Sequence, residues 1–213
     1  MIKRFDIDCV FDVGASIGLY GEFLRNEVGY RGQILSFEPV KANVKRLRQS
    51  GIGDRHWAVF DFALGDREAV KSINIMKSYL FTSFLMPDAV TVPYFGDLNH
   101  VVGEEAVMVR RLDDIFDSLR QEYSFENPFL KIDTQGYDLA VLKGCAANLN
   151  KFAAIQTEAS VKPLYQAMPG FLDIYDYLTP YGFALSGFNP VVLDPNLRLI
   201  EFDWVFLNQR FCI

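Results

Sequence analysis

The chain has 213 residues, half of them hydrophobic, which is enough for one substantial core and too few for two ordinary domains. A net charge of −6 and a pI near 5.0 disfavour a surface for phosphate backbones, and no basic block exceeds Lys45-Arg46 with Arg48, so nucleic acid is not expected as a partner. Lys3, Arg4, Asp6 and Asp8 interrupt the first nine residues, leaving no apolar stretch there for a signal peptide or a membrane span; residence in the cytoplasm is expected. Cys9, Cys145 and Cys212 are scattered without CxxC spacing, and His56 and His100 stand far from them, so neither a disulfide framework nor a zinc site is indicated.

In chain order, strands and helices alternate. Cys9 to Val13 reads as a buried strand ending at Gly14, and beyond Gly18 the residues Leu19, Tyr20, Phe23, Leu24 and Val28 recur at helical spacing. Gln33 to Phe37 is a second strand, closed by Glu38-Pro39, and Val44 and Leu47 face inward from a helix whose other face is basic. Trp57 to Leu64 reads as a third strand, ended by Gly65-Asp66. Val70 to Met76 and Ala106 to Val109 alternate like strands, and Leu112 to Leu119 reads as a short helix. Phe129 to Asp133 is a fourth core strand, with a helix after Gly136 that turns Leu139, Val141 and Leu142 inward. Ala153 to Glu158 is a fifth, followed by a helix at Phe171 to Leu178, a strand plus turn over Phe183 to Leu193, and a last strand at Trp204 to Leu207. The pattern predicts a single α/β domain over residues 1–213, a doubly wound, mostly parallel sheet with a partly antiparallel edge. Ser78 to Glu105, with Pro87 and Pro93, is the least regular stretch and is expected to cover the ligand cleft as an insertion.

Ligands of open α/β sheets bind beyond the carboxyl ends of the strands, and here those ends are acidic: Asp12, Glu38, Asp133 and Glu158. The turn Asp12-Val13-Gly14-Ala15-Ser16-Ile17-Gly18 lets the backbone bend sharply before a helix N-terminus, but its G-x-x-x-G spacing is not the G-x-G-x-x-G of dinucleotide binders. Glu38 lies about 20 residues beyond the turn, where an acid reaches the ribose hydroxyls of a nucleoside. A glycine turn without a phosphate signature, joined to a ribose acid, suits an adenosine bearing an amino acid, which is S-adenosylmethionine. Phe62 and Ala63 are placed to line an adenine slot. Plain turn glycines and helix-capping acids are the structural alternatives.

The strings FDVGASIGLY, SFEP, FALGD, FLKIDTQGYDLAVLKGC and IQTEAS, in that order, resemble the FkbM-type methyltransferases, from about Phe11 to Leu207. The resemblance implies a Rossmann-like, seven-stranded, mostly parallel sheet with an antiparallel last strand, and S-adenosylmethionine as methyl donor. It also implies O-methylation of hydroxyls in sugars, glycolipids or secondary metabolites. Within it, Asp12 to Gly18 hold the methionine part, Glu38 with Pro39 the ribose, Phe62 and Ala63 the adenine, and Asp133 lies near the reacting methyl. Ser16 departs from the Asn of many relatives, and the N-terminus is short, so the acceptor's cover is expected from Ser78 to Glu105 or from a partner chain, as in a homo-oligomer.

Transfer to a hydroxyl needs a general base, for which Asp133 comes first and Glu158 second. Lys131, two residues before Asp133 on the same strand face, is a pairing partner that would lower its basicity. A Mg²⁺-assisted variant through Asp133 and Glu158 lacks a third convergent acid, so no metal is expected. The competing functions are an NAD-dependent oxidoreductase, against which the missing dinucleotide motif speaks, and a non-catalytic nucleoside-binding module.

Overall fold

The computed structural model describes residues 1–89 and 96–211. Pro93, part of the irregular stretch, and Cys212 lie outside the described residues. The elements run β1 (Cys9–Val13), α1 (Leu19–Asn26), β2 (Gln33–Phe37), α2 (Lys41–Ser50), β3 (Trp57–Phe60), β4 (Ala63–Leu64), β5 (Ala69–Met76), β6 (Val101–Arg110), α3 (Leu112–Tyr123), β7 (Pro128–Ile132), α4 (Asp138–Lys143), β8 (Ala154–Ser160), α5 (Phe171–Leu178), β9 (Phe183–Leu193) and β10 (Leu199–Asn208). Seven strands form one sheet in the order β3-β2-β1-β7-β8-β10-β9, parallel except that β10 runs antiparallel to both neighbours. This is the expected doubly wound sheet with its last strand reversed. Among the described residues no helix is long and apolar enough to cross a membrane.

Strand side chains alternate between faces, and the sequence uses both. Phe11, Val13, Leu35, Phe37, Leu130 and Ile132 pack on one face with Phe116, Leu119, Val141, Leu142 and Leu178 of α3, α4 and α5. There Phe11 stacks on Phe37 and Phe116 and meets Phe125 and Phe152 edge-on. Val10, Ile34, Phe129 and Ala154 point to the other face, onto Leu24 of α1 and Leu47 of α2. Burying both faces is what makes the central strands read as continuous apolar runs.

Two expectations change. The run Trp57 to Leu64 is two strands, because the chain bends at Asp61, which is exposed and paired with Arg48, and Phe62 folds back onto Phe37 and Phe60. Ala63–Leu64 then leaves the main sheet and pairs with β6, which also pairs with β5, in a three-stranded sheet of order β4-β6-β5. A close approach fixes that small sheet to the body: a Cβ on Gly144, after α4, would lie 1.9 Å from the Gly65 carbonyl oxygen. Within the irregular stretch, Val101 to Glu105 belongs to β6, and Tyr79 to Phe81 forms a single helical turn.

Candidate active site

On the α1 and α2 face, β1, β2 and β7 each turn from apolar to polar at their penultimate residue. The register aligns Asp12 with Ser36 and with Lys131, and Lys131 with Gln156, so four polar side chains form a row across four strands. Asp12 is fully buried; its Oδ2 accepts a hydrogen bond from Ser36 Oγ at 3.1 Å, and Ser36 Oγ accepts one from Trp57 Nε1 at 3.0 Å. Lys131 Nζ lies 3.3 Å from Asp12 Oδ1 and 3.4 Å from Asp133 Oδ2, with the Tyr20 ring 5.1 Å away. Burial alone would lower the pKa of this ammonium, but Asp133 and Asp12 outweigh it and hold it above the ordinary lysine value.

Two residues further along the same strands, Glu38, Gly14, Asp133, Glu158 and, paired with Glu158 across the antiparallel step, Asp203 come together. The four strand-end acids of the sequence are therefore not equivalent: Asp12 sits one row deeper, beneath the cleft, Asp133 lines the cleft, and Glu38 and Glu158 stand in the same row as Asp133 without lining it. Gly14 keeps the middle of the rim open. Its φ is 76°, and a Cβ there would lie 1.9 Å from the Asp133 carbonyl oxygen.

Glu38 is 5% exposed and braces the turn. Its Oε2 accepts from Ser16 N at 2.9 Å, and its Oε1 accepts from Val40 N at 2.9 Å and from Asn43 Nδ2 at 3.4 Å. Desolvation pushes its pKa up to about 7 against the pull of those three donors. A carboxylate oxygen has two lone pairs, so one acceptor position on Oε2 is left.

At the other end of the rim Gln135 joins the two acids: its Nε2 donates to Asp133 Oδ1 at 3.1 Å and to Glu158 Oε2 at 2.8 Å. Burial, followed by the charges of Asp133 and Glu201, holds the Glu158 carboxyl well above the usual carboxylate range. Glu201 is pushed up to about 8 and Asp138 to about 6, in each case first by burial and then by Asp133. Asp138 is held by Thr134 Oγ1 and Thr157 Oγ1, each at 2.9 Å.

Two cavities open on this rim. A cleft of about 550 Å³ is lined by Gly14, Ala15, Ser16, Leu19, Tyr20, Phe23, Tyr79, Leu80, Lys131, Asp133, Gln156 and Asp203. A smaller one, about 50 Å³, lies among Val13, Gly14, Phe37, Pro39, Ala63, Leu64, Ile73, Thr82, Phe84, Asp133 and Thr134. Gly14 and Asp133 are common to both. Of the expected adenine pair, Ala63 lines the smaller cavity, whereas Phe62 packs against Phe37, Phe60 and the Arg110 guanidinium. Gly18, with a φ of 98°, precedes α1 and packs on Leu47 and Ser50 rather than lining either space. Tyr79, Leu80, Thr82 and Phe84 make part of the irregular stretch a wall of both cavities.

Gln135, Gln156, Tyr165 and Asp203 escaped the sequence reading. Two of them carry a period-two signal: Gln156 precedes Glu158 by two, and Glu201 and Asp203 alternate with Phe202 and Trp204 in an apolar strand.

The methyltransferase FkbM domain matches residues 12–185. The chain belongs to this family. The match ends at Leu185, inside β9, past the last of the motifs and short of Leu207, the expected end of the resemblance. Among solved structures, this FkbM-family chain is similar to the methyltransferase domain of a bacterial CtHen1, with 10% identity, coverage of 97% of this chain and 93% of that one, and a TM-score of 0.49. It is similar to a SAM dependent methyltransferase from Aquifex aeolicus, with 12% identity, coverage of 97% and 87%, and a TM-score of 0.43. A protein of uncharacterized function from Listeria monocytogenes gives 10% identity, coverage of 96% and 65%, and a TM-score of 0.50. At such identities the likeness is one of fold. No curated protein sequence matches the chain. Among the described residues no group of three His, Cys, Asp or Glu side chains is arranged to hold a metal ion.

Proposed function

We propose that this FkbM-family methyltransferase uses S-adenosylmethionine to methylate a hydroxyl of a sugar, a glycan or a secondary metabolite. The observation that carries the reading is that Asp133, a carboxylate, walls both cavities. The smaller space suits the base of the donor, the larger takes the donor's amino-acid end together with the acceptor, and Asp133 stands where they meet.

The chemistry of the turn supports the donor. Ser16 Oγ is buried and has no hydrogen-bond partner among the described residues, which suits a polar group of the amino-acid end. Val13, Gly14 and Ala15 give that end close backbone approach, with Asp12 fixing Lys131 beneath them. The remaining acceptor position of Glu38 suits a ribose hydroxyl, and Pro39 and Ala63 offer apolar surface to the base. The smaller cavity holds one or two waters at ~30 Å³ each, so a purine enters as Thr82 and Phe84 draw back. Excess carboxylate over Lys131 suits a cationic donor.

Bound S-adenosylmethionine supplies a methyl group on a sulfonium for in-line displacement. The chain's residues then have two tasks. Tyr20, Tyr79, Gln156 and Asp203 orient the acceptor in the larger cleft, which brings its oxygen into line. Asp133 takes the hydroxyl proton on a carboxylate oxygen as the new bond forms, and Glu158, joined to it through Gln135, is the second base of the site. The acceptor is a small molecule or a carbohydrate, and neither nucleic acid nor a membrane span is part of this reading.

Calorimetric titration with S-adenosylhomocysteine, with NAD in parallel and Glu38→Ala as control, tests the donor. Binding of S-adenosylhomocysteine alone, weakened in the variant, is expected. Binding of NAD alone would sink the reading, and binding of neither would favour a non-catalytic module. A mass increase of one methyl on a hydroxyl-bearing acceptor tests the transfer.

A further inference from the structure

We infer that Gln135 is a positioning residue that holds the carboxylates of Asp133 and Glu158 together in their ionised form, in an amide orientation selected by Tyr165. The inference rests on the reading of those two acids as the general-base centre.

Its first support is the backbone. Gln135 has a φ of 52°, in the left-handed region, and is followed by Gly136 at 88°. Asn or Asp is the ordinary non-glycine choice there, because a short polar side chain bonds locally. Gln gives up that local bond and gains a methylene of reach, and the reach is used: one nitrogen meets both carboxyls, at 3.1 and 2.8 Å. A primary amide nitrogen carries two protons, so each acid receives one. Strain kept at a site of this kind points to function rather than to turn preference.

The second support is the orientation of the amide. Gln135 Oε1 accepts from Tyr165 Oη at 2.7 Å, and Tyr165 is 1% exposed. Turned by half a rotation, the amide would aim its oxygen at two acids, so the acids and the tyrosine select the same arrangement. The Tyr165 hydroxyl has one proton and a second acceptor, Phe81 O, at 3.0 Å. Ser83 Oγ donates to Gln135 O at 2.7 Å. The segment that walls the cleft is thus tied to Gln135 through both its main chain and, by way of Tyr165, its side chain.

The charged and titratable groups around the pair are Lys131 with Asp12 behind it, Asp138 from α4, Tyr165, and Glu201 and Asp203 from β10. Most are acids, and they disfavour a second negative charge on the pair. A donor shared by both carboxyls opposes that effect, because hydrogen bonds to the charged form favour it.

The test is a ¹³C NMR titration of the side-chain carboxyls, without ligand and with S-adenosylhomocysteine, in the wild type, Gln135→Asn and Tyr165→Phe. Asp133→Asn and Glu158→Gln assign the resonances. Asn suits the left-handed backbone, so Gln135→Asn keeps the fold while its amide falls one methylene short. The expected result is a proton affinity of the pair raised about tenfold in Gln135→Asn and raised less in Tyr165→Phe. Titration of both acids in Gln135→Asn as in the wild type overturns the inference, as does a shift of one acid without the other. Failure of S-adenosylhomocysteine to bind tells against the methyltransferase reading instead, and the ligand-free titration still decides the role of Gln135.

Discussion

The two halves of the strand-end rim are built on opposite principles. On the β1–β2 side the carboxylates serve the protein first: Glu38 holds Ser16 N and Val40 N, and Asp12 holds Ser36 and Lys131. On the β7–β8–β10 side, carboxyls crowd together with few cations, and Asp133 and Asp203 stay partly open to the cleft with Glu158 behind them. One half is a finished scaffold, and the other keeps electrostatic tension unrelieved. Substitutions on the first side are accordingly expected to act through structure and donor affinity, and those on the second through proton chemistry.

The sharpest test of the contrast is at their meeting point. Gly14→Ala combines a left-handed backbone with a Cβ 1.9 Å from the Asp133 carbonyl oxygen, so it is expected to destabilise the fold by about 2–5 kcal/mol, read from urea unfolding. Asp133→Asn is expected to lower turnover by roughly 10²–10⁴-fold, as loss of a general base does, while S-adenosylhomocysteine binding by calorimetry stays near the wild-type value. Glu38→Ala should do the reverse. It should weaken donor binding by about tenfold or more and destabilise by about 1–3 kcal/mol, because Ser16 N and Val40 N lose their acceptor. Equal effects of Asp133→Asn and Glu38→Ala on donor affinity would break the contrast between the halves.

The smallest effect is on pH dependence. Glu38, Asp138 and Glu201 have folded pKa values raised to about 7, 6 and 8. The folded chain therefore binds more protons than the unfolded one above about pH 4, and stability falls as pH rises through those values. A melting temperature lower at pH 8 than at pH 5 is expected, with a shallower slope in Glu201→Gln. A melting temperature that climbs across this range would show that the crowded acids are stabilised as anions.

Legibility in the sequence follows the same division. The glycine turn, the acid ending β2 and the core strands announce themselves through spacing and apolar runs, because local backbone needs and two-faced burial dictate them. The depth of Asp12 was not legible, since it depends on inter-strand register, which one strand does not reveal. The break at Asp61 was masked by apolar residues on both sides of it, Val59-Phe60 continuing one sheet and Ala63-Leu64 starting another. Gln135 and Tyr165 are 30 residues apart in sequence and meet through a side-chain hydrogen bond that no local pattern records.

The chain's two tryptophans fall one to each half. Trp57, on β3, donates its indole N–H to Ser36 and so stands at the end of the hydrogen-bonded path that leads through Asp12 to Lys131. Trp204, on β10, is buried among Phe171, Phe202 and Phe206, and its indole nitrogen has no hydrogen-bond partner among the described residues. An indole with a polar partner and one in an apolar cage differ in emission, so the molecule carries a separate optical label for the scaffold and for the charged side. Trp57→Phe and Trp204→Phe chains would let each half be watched alone as a ligand enters.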